Sequence, residues 1–331
     1  MARSIGSIRK ASSLSKMLEK AALNVLKSCM GLKKKESFLV VYDKNKQRIA
    51  NILLEKARKI SKKVDEIETP IGKVNGEEPS KKVAYEIKKY DVVVMATTKS
   101  LSHTDARRNA SKKGVRIASM PGITEDMMKR TLTADYNKIK RLSQNVSRVL
   151  KNKKKIRLIT KKGTDLVVHT NKLFTDIGFY TGKGDFGNLP AGEVGFAPVE
   201  GKTNGVLIVD KTMAGIGKLK SSINIEVKDG FVTKISGKGD ANKLRIMLKN
   251  QKNKNVYNIA EFAIGTNYKA KITGLTLEDE KVYGTVHVAV GDNTSYPGGK
   301  TKAPLHLDGI ISKPTVIVDE KKIMKDGKLL L

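Results

Sequence analysis

The chain has 331 residues, 39 % hydrophobic and 30 % charged, the balance of a folded, soluble protein rather than a disordered or membrane-embedded one. Its single cysteine excludes an internal disulfide and any thiolate cluster for zinc or for iron and sulfur. The 65 Lys and Arg against 33 Asp and Glu give a net charge of +32, about +24 of it in residues 1–157, so non-specific affinity for polyanions such as nucleic acid is expected.

In chain order, Leu14, Met17, Leu18, Ala21, Ala22, Val25 and Leu26 recur at helical spacing and predict an amphipathic helix over Ser13–Ser28. Ser37–Tyr42, Val92–Met95 and Val115–Ser119 are short apolar runs, as expected of strands buried on both faces. Arg48–Lys63, Ser102–Lys112 and Tyr136–Leu150 read as helices between and after them. This alternation predicts an α/β N-terminal domain with a parallel sheet. The turn after the first strand, Asp43-Lys-Asn-Lys-Gln, contains no glycine, which argues against a dinucleotide or P-loop phosphate site. No apolar stretch is long enough to span a bilayer and no signal-peptide core opens the chain, so no membrane association and a cytoplasmic location are expected.

The Lys151–Lys155 charge run marks a boundary, giving an α/β domain over 1–150 and an α+β, strand-rich metal-binding domain over 151–331. In the second domain Ile156–Thr160, Asp165–His169, Gly205–Asp210, Lys281–Val290 and Pro314–Asp319 read as strands. Alternation in Ile223–Ile235 around Asp229-Gly230 predicts a hairpin, and Asp240–Lys252 is the one helix.

Only four histidines occur, and two of them stand in His287-Val-Ala-Val-Gly-Asp and His306-Leu-Asp308. The i, i+2 spacing of His306 and Asp308 puts imidazole and carboxylate on one side of a strand. Two imidazoles and a carboxylate are a sufficient donor set for a catalytic transition metal. Glu193, presented by Asn188-Leu-Pro-Ala-Gly-Glu-Val194, and Glu261, inside the apolar Asn258–Asn267 segment, add two carboxylates that need a cation or solvent if they are not to be costly. His103 reads as a capping or surface residue, His169 as a strand-edge residue, and Glu278-Asp-Glu280 as an exposed acidic turn with the alternative of supporting the His287 strand.

Taken in order, Asn-Leu-Pro-Ala-Gly-Glu-Val, Ala-Glu-Phe-Ala-Ile-Gly-Thr-Asn, His-Val-Ala-Val-Gly and His-Leu-Asp resemble the M29 metallopeptidases, the aminopeptidase T and S family. Thr98–Thr104 and Ser119–Asp126 extend the resemblance upstream, to the short, largely archaeal leucyl aminopeptidase-like branch. The resemblance implies Glu193, Glu261, His287, His306 and Asp308 as ligands of two divalent metal ions (zinc, cobalt or manganese), with Glu193, Glu261 and Tyr296 as catalytic candidates. It also implies a homodimer that hydrolyses N-terminal residues from peptide substrates. Thr294 occupies the position of the family's tyrosine, and Tyr296 is the nearest substitute.

The same superfamily includes proteins similar to 2,5-dihydroxypyridine dioxygenase, whose single iron is held by a set that corresponds to His287, His306 and Asp308. A basic nucleic-acid-associated protein on the same scaffold is a third reading, although Lys far outnumbers Arg, aromatics are 5 % and Trp is absent, so stacking platforms are scarce. Retention of both Glu193 and Glu261 favours the two-metal hydrolase, in which two ions share and activate a water.

Overall fold

The computed structural model describes residues 15–331. The expected first helix runs over 15–23 and tightens into a π-helical turn at Asn24–Cys29; residues 13 and 14 of that expectation lie outside the described residues. The chain forms two compact units, residues up to 136 with 178–191, and 137–177 with 192–331. No helix among the described residues is long and apolar enough to cross a membrane.

The first unit is built on a five-stranded, all-parallel sheet in the order Lys63–Glu68, Ser37–Tyr42, Val92–Ala96, Arg116–Ser119, Phe186–Asn188. All residues of the second, third and fourth strands in that order are buried, as continuous apolar runs require in a sheet covered on both faces. Helices Lys81–Glu86 and Asp105–Lys112 pack Val83, Ala106 and Ala110 with Leu39, Val41, Val93, Met95 and Ile117. The predicted helix Arg48–Lys63 ends instead at Arg58, and Lys63–Glu68 is a strand. That strand reads Lys-Val-Asp-Glu-Ile-Glu; four charges suit a sheet edge and hide its strand character from apolar patterning.

The second unit is strand-rich and antiparallel, with an eight-stranded and a seven-stranded sheet. The chain is thus α/β followed by α+β, as the sequence indicates. The units do not part at Lys151: helix Tyr136–Leu150 sends Val146 and Leu150 into the core of the second unit, whereas 178–191 returns to the first and supplies its last strand. The Asp229-Gly230 turn forms as predicted, both residues at positive φ, between strands Ile223–Lys228 and Phe231–Gly237. The predicted strand Lys281–Val290 starts only at Val286, and Lys281 itself lies in a turn.

Four neighbouring strands of the seven-stranded sheet matter most: Glu193–Phe196, Ile259–Gly265, Val286–Gly291 and His306–Ile311. One face of them is core. Val194, Phe196, Ile259, Phe262, Ile264, Val286, Val288, Val290, Leu307 and Ile311 join a cluster with Leu158, Leu166, Leu207, Ile225 and Leu244. Phe196 and Phe262 stack with centroids 5.5 Å apart, each buried ring contributing about 2–3 kcal/mol of transfer free energy.

Candidate metal centre

The opposite face of those four strands carries the site. Directly opposed residues in an antiparallel pair share a face, and the register pairs Glu193 with Gly265, His287 with Ala263, Asp308 and Glu261 with Ala289, and His306 with Gly291. Each of these donors thus has a Gly or Ala opposite it on one side, which leaves room for side chains to converge; on the other side His287 opposes Ile310 and Glu193 opposes Asp176. A β-bulge between Ile259 and Glu261 makes this possible: it lets Ile259 point to the core while Glu261, two residues on, points to the site. Gly291, at φ +110°, could not be replaced cheaply, since a Cβ there would meet the Leu305 carbonyl oxygen at 2.1 Å.

Glu261 joins the two imidazoles. Its Oε1 lies 3.3 Å from His287 Nε2 and its Oε2 3.0 Å from His306 Nε2. Asp308 Oδ1 lies 3.2 Å from His306 Nε2, and Glu193 Oε2 3.4 Å from His287 Nε2. Donors about 2.1 Å from one ion at octahedral or tetrahedral angles stand roughly 3.0–3.4 Å from each other, so these spacings fit a metal ion. Three overlapping groups have donor atoms all within 4.8 Å: Glu261, His306 and Asp308; Glu193, Glu261 and His287; Glu280, His287 and Asp308. Asp308 and Glu261 each stand in a group with either histidine. No group of this compactness among the described residues contains both imidazoles, between which the Glu261 carboxylate lies.

His306 Nδ1 donates to the Asp292 carbonyl at 2.7 Å, which leaves Nε2 free to act as a ligand. Glu193 Oε2 and His287 Nδ1 are buried and make no hydrogen bond among the described residues, a further sign that the cluster is built around a group it binds.

Charge sets the protonation of the cluster. Burial alone would push Glu261 up, but hydrogen bonds from His287 and His306 outweigh it and hold the carboxyl far below its usual range. Burial opposes charging of His287, yet Glu261 and then Glu193 raise it to about 9. His306 is likewise held well above its ordinary value, against burial, by Asp308 and Glu261. In the metal-free protein the imidazoles thus keep their protons, and a divalent ion must displace them. Burial raises Glu193 despite Lys281, and raises Glu280 to about 8.

The sequence-predicted donors Glu193, Glu261, His287, His306 and Asp308 all come together. Tyr296 joins them, its hydroxyl 3.5 Å from His306 Nε2 and its ring stacked on Phe174 at 4.9 Å. His169 instead contacts the Lys202 carbonyl through Nδ1, and His103 is exposed in the turn before helix Asp105–Lys112. The acidic turn Glu278-Asp-Glu280 is not exposed: all three residues are buried. Asp279 accepts from Thr212, Thr273 and Gly274, and Glu280 faces the site. Sequence reasoning missed Lys281, whose Nζ lies 2.5 Å from Glu193 Oε1 and 2.9 Å from Glu280 Oε1, and Asp176, the register partner of Glu193. Nothing in the run Glu-Asp-Glu-Lys distinguishes a buried ammonium from a solvated one.

Comparison with known proteins bears on which chemistry this donor set serves. The 2,5-dihydroxypyridine 5,6-dioxygenase of Pseudomonas putida (strain KT2440) is 25 % identical over 259 residues, 72 % of this chain and 71 % of that protein. The solved structure of the 2,5-dihydroxypyridine dioxygenase from Pseudomonas putida KT2440 matches with a TM-score of 0.81 at 22 % identity, over 96 % of this chain and 97 % of that one. AmpT from Thermus thermophilus shares the fold, with a TM-score of 0.71 at 16 % identity over 96 % of this chain and 99 % of that one. The expected relationship to M29 peptidases therefore holds at the level of fold. The expected function, a metalloaminopeptidase hydrolysing peptides, is overturned by the family match, since the same donor types serve either chemistry and only the wider sequence separates them. The profile of the 2,5-dihydroxypyridine 5,6-dioxygenase family, NicX, matches residues 18–331, and the chain belongs to that family.

Proposed function

We propose that the chain is a mononuclear iron dioxygenase that opens a dihydroxylated pyridine ring. The observation that carries this reading is the set His287, His306 and Asp308 on one sheet face, in a chain that belongs to the NicX family. Two histidines and one carboxylate are the donor set of non-haem iron(II) oxygenases. Iron(II), when bound, supplies the redox chemistry that lets O2 react with an electron-rich ring.

The protein's own groups have separable roles. Glu261 keeps its charge and stands between the imidazoles, which suits it as a further donor to the cation and makes it a poor base. Burial first, and then the charges of Glu261 and Asp308, raise Tyr296 well above 10, so its hydroxyl keeps its proton and can donate it toward a substrate oxygen on the His306 side. Glu193 is paired with Lys281 through Oε1 and turns Oε2 toward His287. The Phe174–Tyr296 stack offers aromatic surface that suits a planar ring.

The test is oxygen uptake by the protein loaded anaerobically with iron(II) and given 2,5-dihydroxypyridine. Chelator-sensitive uptake coupled to loss of the ring's ultraviolet absorbance is expected; no uptake with iron bound would overturn the reading.

A further inference from the structure

Lys281 has no role in that reading, yet it is among the most deeply buried large side chains of the protein, at 2 % exposure. An ammonium is taken out of water only where anionic partners offset the cost. Here they are Glu193 Oε1 at 2.5 Å and Glu280 Oε1 at 2.9 Å. Both glutamates also belong to donor groups around His287. The position is built into the backbone: Asn267 N–H donates to the Lys281 carbonyl at 2.8 Å, and the Lys281–Val282 peptide lies so close to Gly265 that a Cβ there would meet the Val282 oxygen at 2.2 Å. Gly265 is the register partner of Glu193, so the glycine that opposes this carboxylate also admits the lysine that neutralises it.

We infer that the Lys281 ammonium is a built-in second cation: it takes up Glu193 and Glu280, which could otherwise hold a second metal ion, and thereby limits the cluster to a single ion. A second divalent ion at Glu193 would have to displace Nζ or sit a few ångströms from both a metal ion and an ammonium. This inference rests on the proposed function only in that the cluster binds metal; it does not depend on the reaction.

The experiment is metal stoichiometry of the full chain with cobalt(II), by equilibrium dialysis and elemental analysis, with thermal melting of each variant. The wild type and Lys281→Arg are expected to hold one ion per chain and Lys281→Met two. Two ions in the wild type, or any count other than two in a folded Lys281→Met, would overturn the inference. Glu193→Gln, which leaves Lys281 paired with Glu280, decides the matter if Lys281→Met does not fold. One ion retained supports the inference; loss of the ion makes Glu193 a ligand and overturns it. One ion bound without oxygen uptake would defeat the proposed reaction and leave this inference standing.

Discussion

The Asp292 carbonyl accepts a hydrogen bond of 2.7 Å from His306 Nδ1, and so dictates which nitrogen of His306 faces Glu261 and Asp308. A carbonyl oxygen can only accept, so Nδ1 carries the proton and Nε2 turns its lone pair to the site whenever the ring is neutral. The histidine is oriented before any ion arrives.

Replacing His306 with Ala should therefore lower metal affinity more than about 100-fold, beyond the 10–100-fold that loss of an outer hydrogen bond costs. Because Asp308 and Glu261 hold His306 protonated in the metal-free protein, its removal also leaves those buried carboxylates less compensated, so the metal-free variant should melt below the metal-free wild type while still unfolding cooperatively. Isothermal titration with cobalt(II) and a melting curve check both halves.

The metal-free protein should lose stability as pH rises from 6.5 to 9.5. His287 is raised to about 9 in the fold against an ordinary value of 6.5, so its protonated form stabilises the folded state fully below 6.5 and ceases to do so as pH passes 9. The contribution is on the order of 3 kcal/mol. Glu280, raised to about 8, pushes in the same direction. Bound metal replaces these protons, so urea unfolding of the metal-loaded protein should show a smaller loss over this range, and metal affinity should rise with pH.

Tyr296→Phe removes a hydroxyl 3.5 Å from His306 Nε2 and keeps the ring stacked on Phe174. Metal stoichiometry should be unchanged and kcat lower by on the order of 100-fold if the hydroxyl donates in the reaction. Steady-state oxygen uptake compared with metal content separates the two effects.

Gly265→Ala puts a Cβ against the Val282 carbonyl, a backbone atom that cannot swing aside. A cost of about 1–3 kcal/mol in urea unfolding is expected from overpacking. Because the displaced segment carries Lys281, the variant's site should also be perturbed, visible as an altered cobalt(II) absorption spectrum.

The parts of the site legible in the sequence are those set by local spacing. His306 and Asp308 share a face because they are two apart on a strand, and Glu261 betrays itself as a carboxylate among apolar neighbours. Lys281 was illegible, and Glu280 legible only as the alternative to an exposed turn, because their burial is a tertiary event, with the Lys281–Val282 backbone packed against Gly265. The edge strand Lys63–Glu68 was missed for the opposite reason, since an edge needs charge and charge erases the apolar period. The parallel sheet of the first unit was readable from its uninterrupted apolar runs. The reaction was not readable from the donors, because imidazole and carboxylate serve a hydrolytic pair of ions and a single iron alike.

The most direct test of the central claim is the fate of isotopically labelled oxygen. The protein loaded with iron(II) and 2,5-dihydroxypyridine under 18O2 should yield a ring-opened product in which mass spectrometry finds both atoms of the labelled O2. A ring-opened product without both labelled atoms, or no product while His287, His306 and Asp308 hold iron, would contradict it.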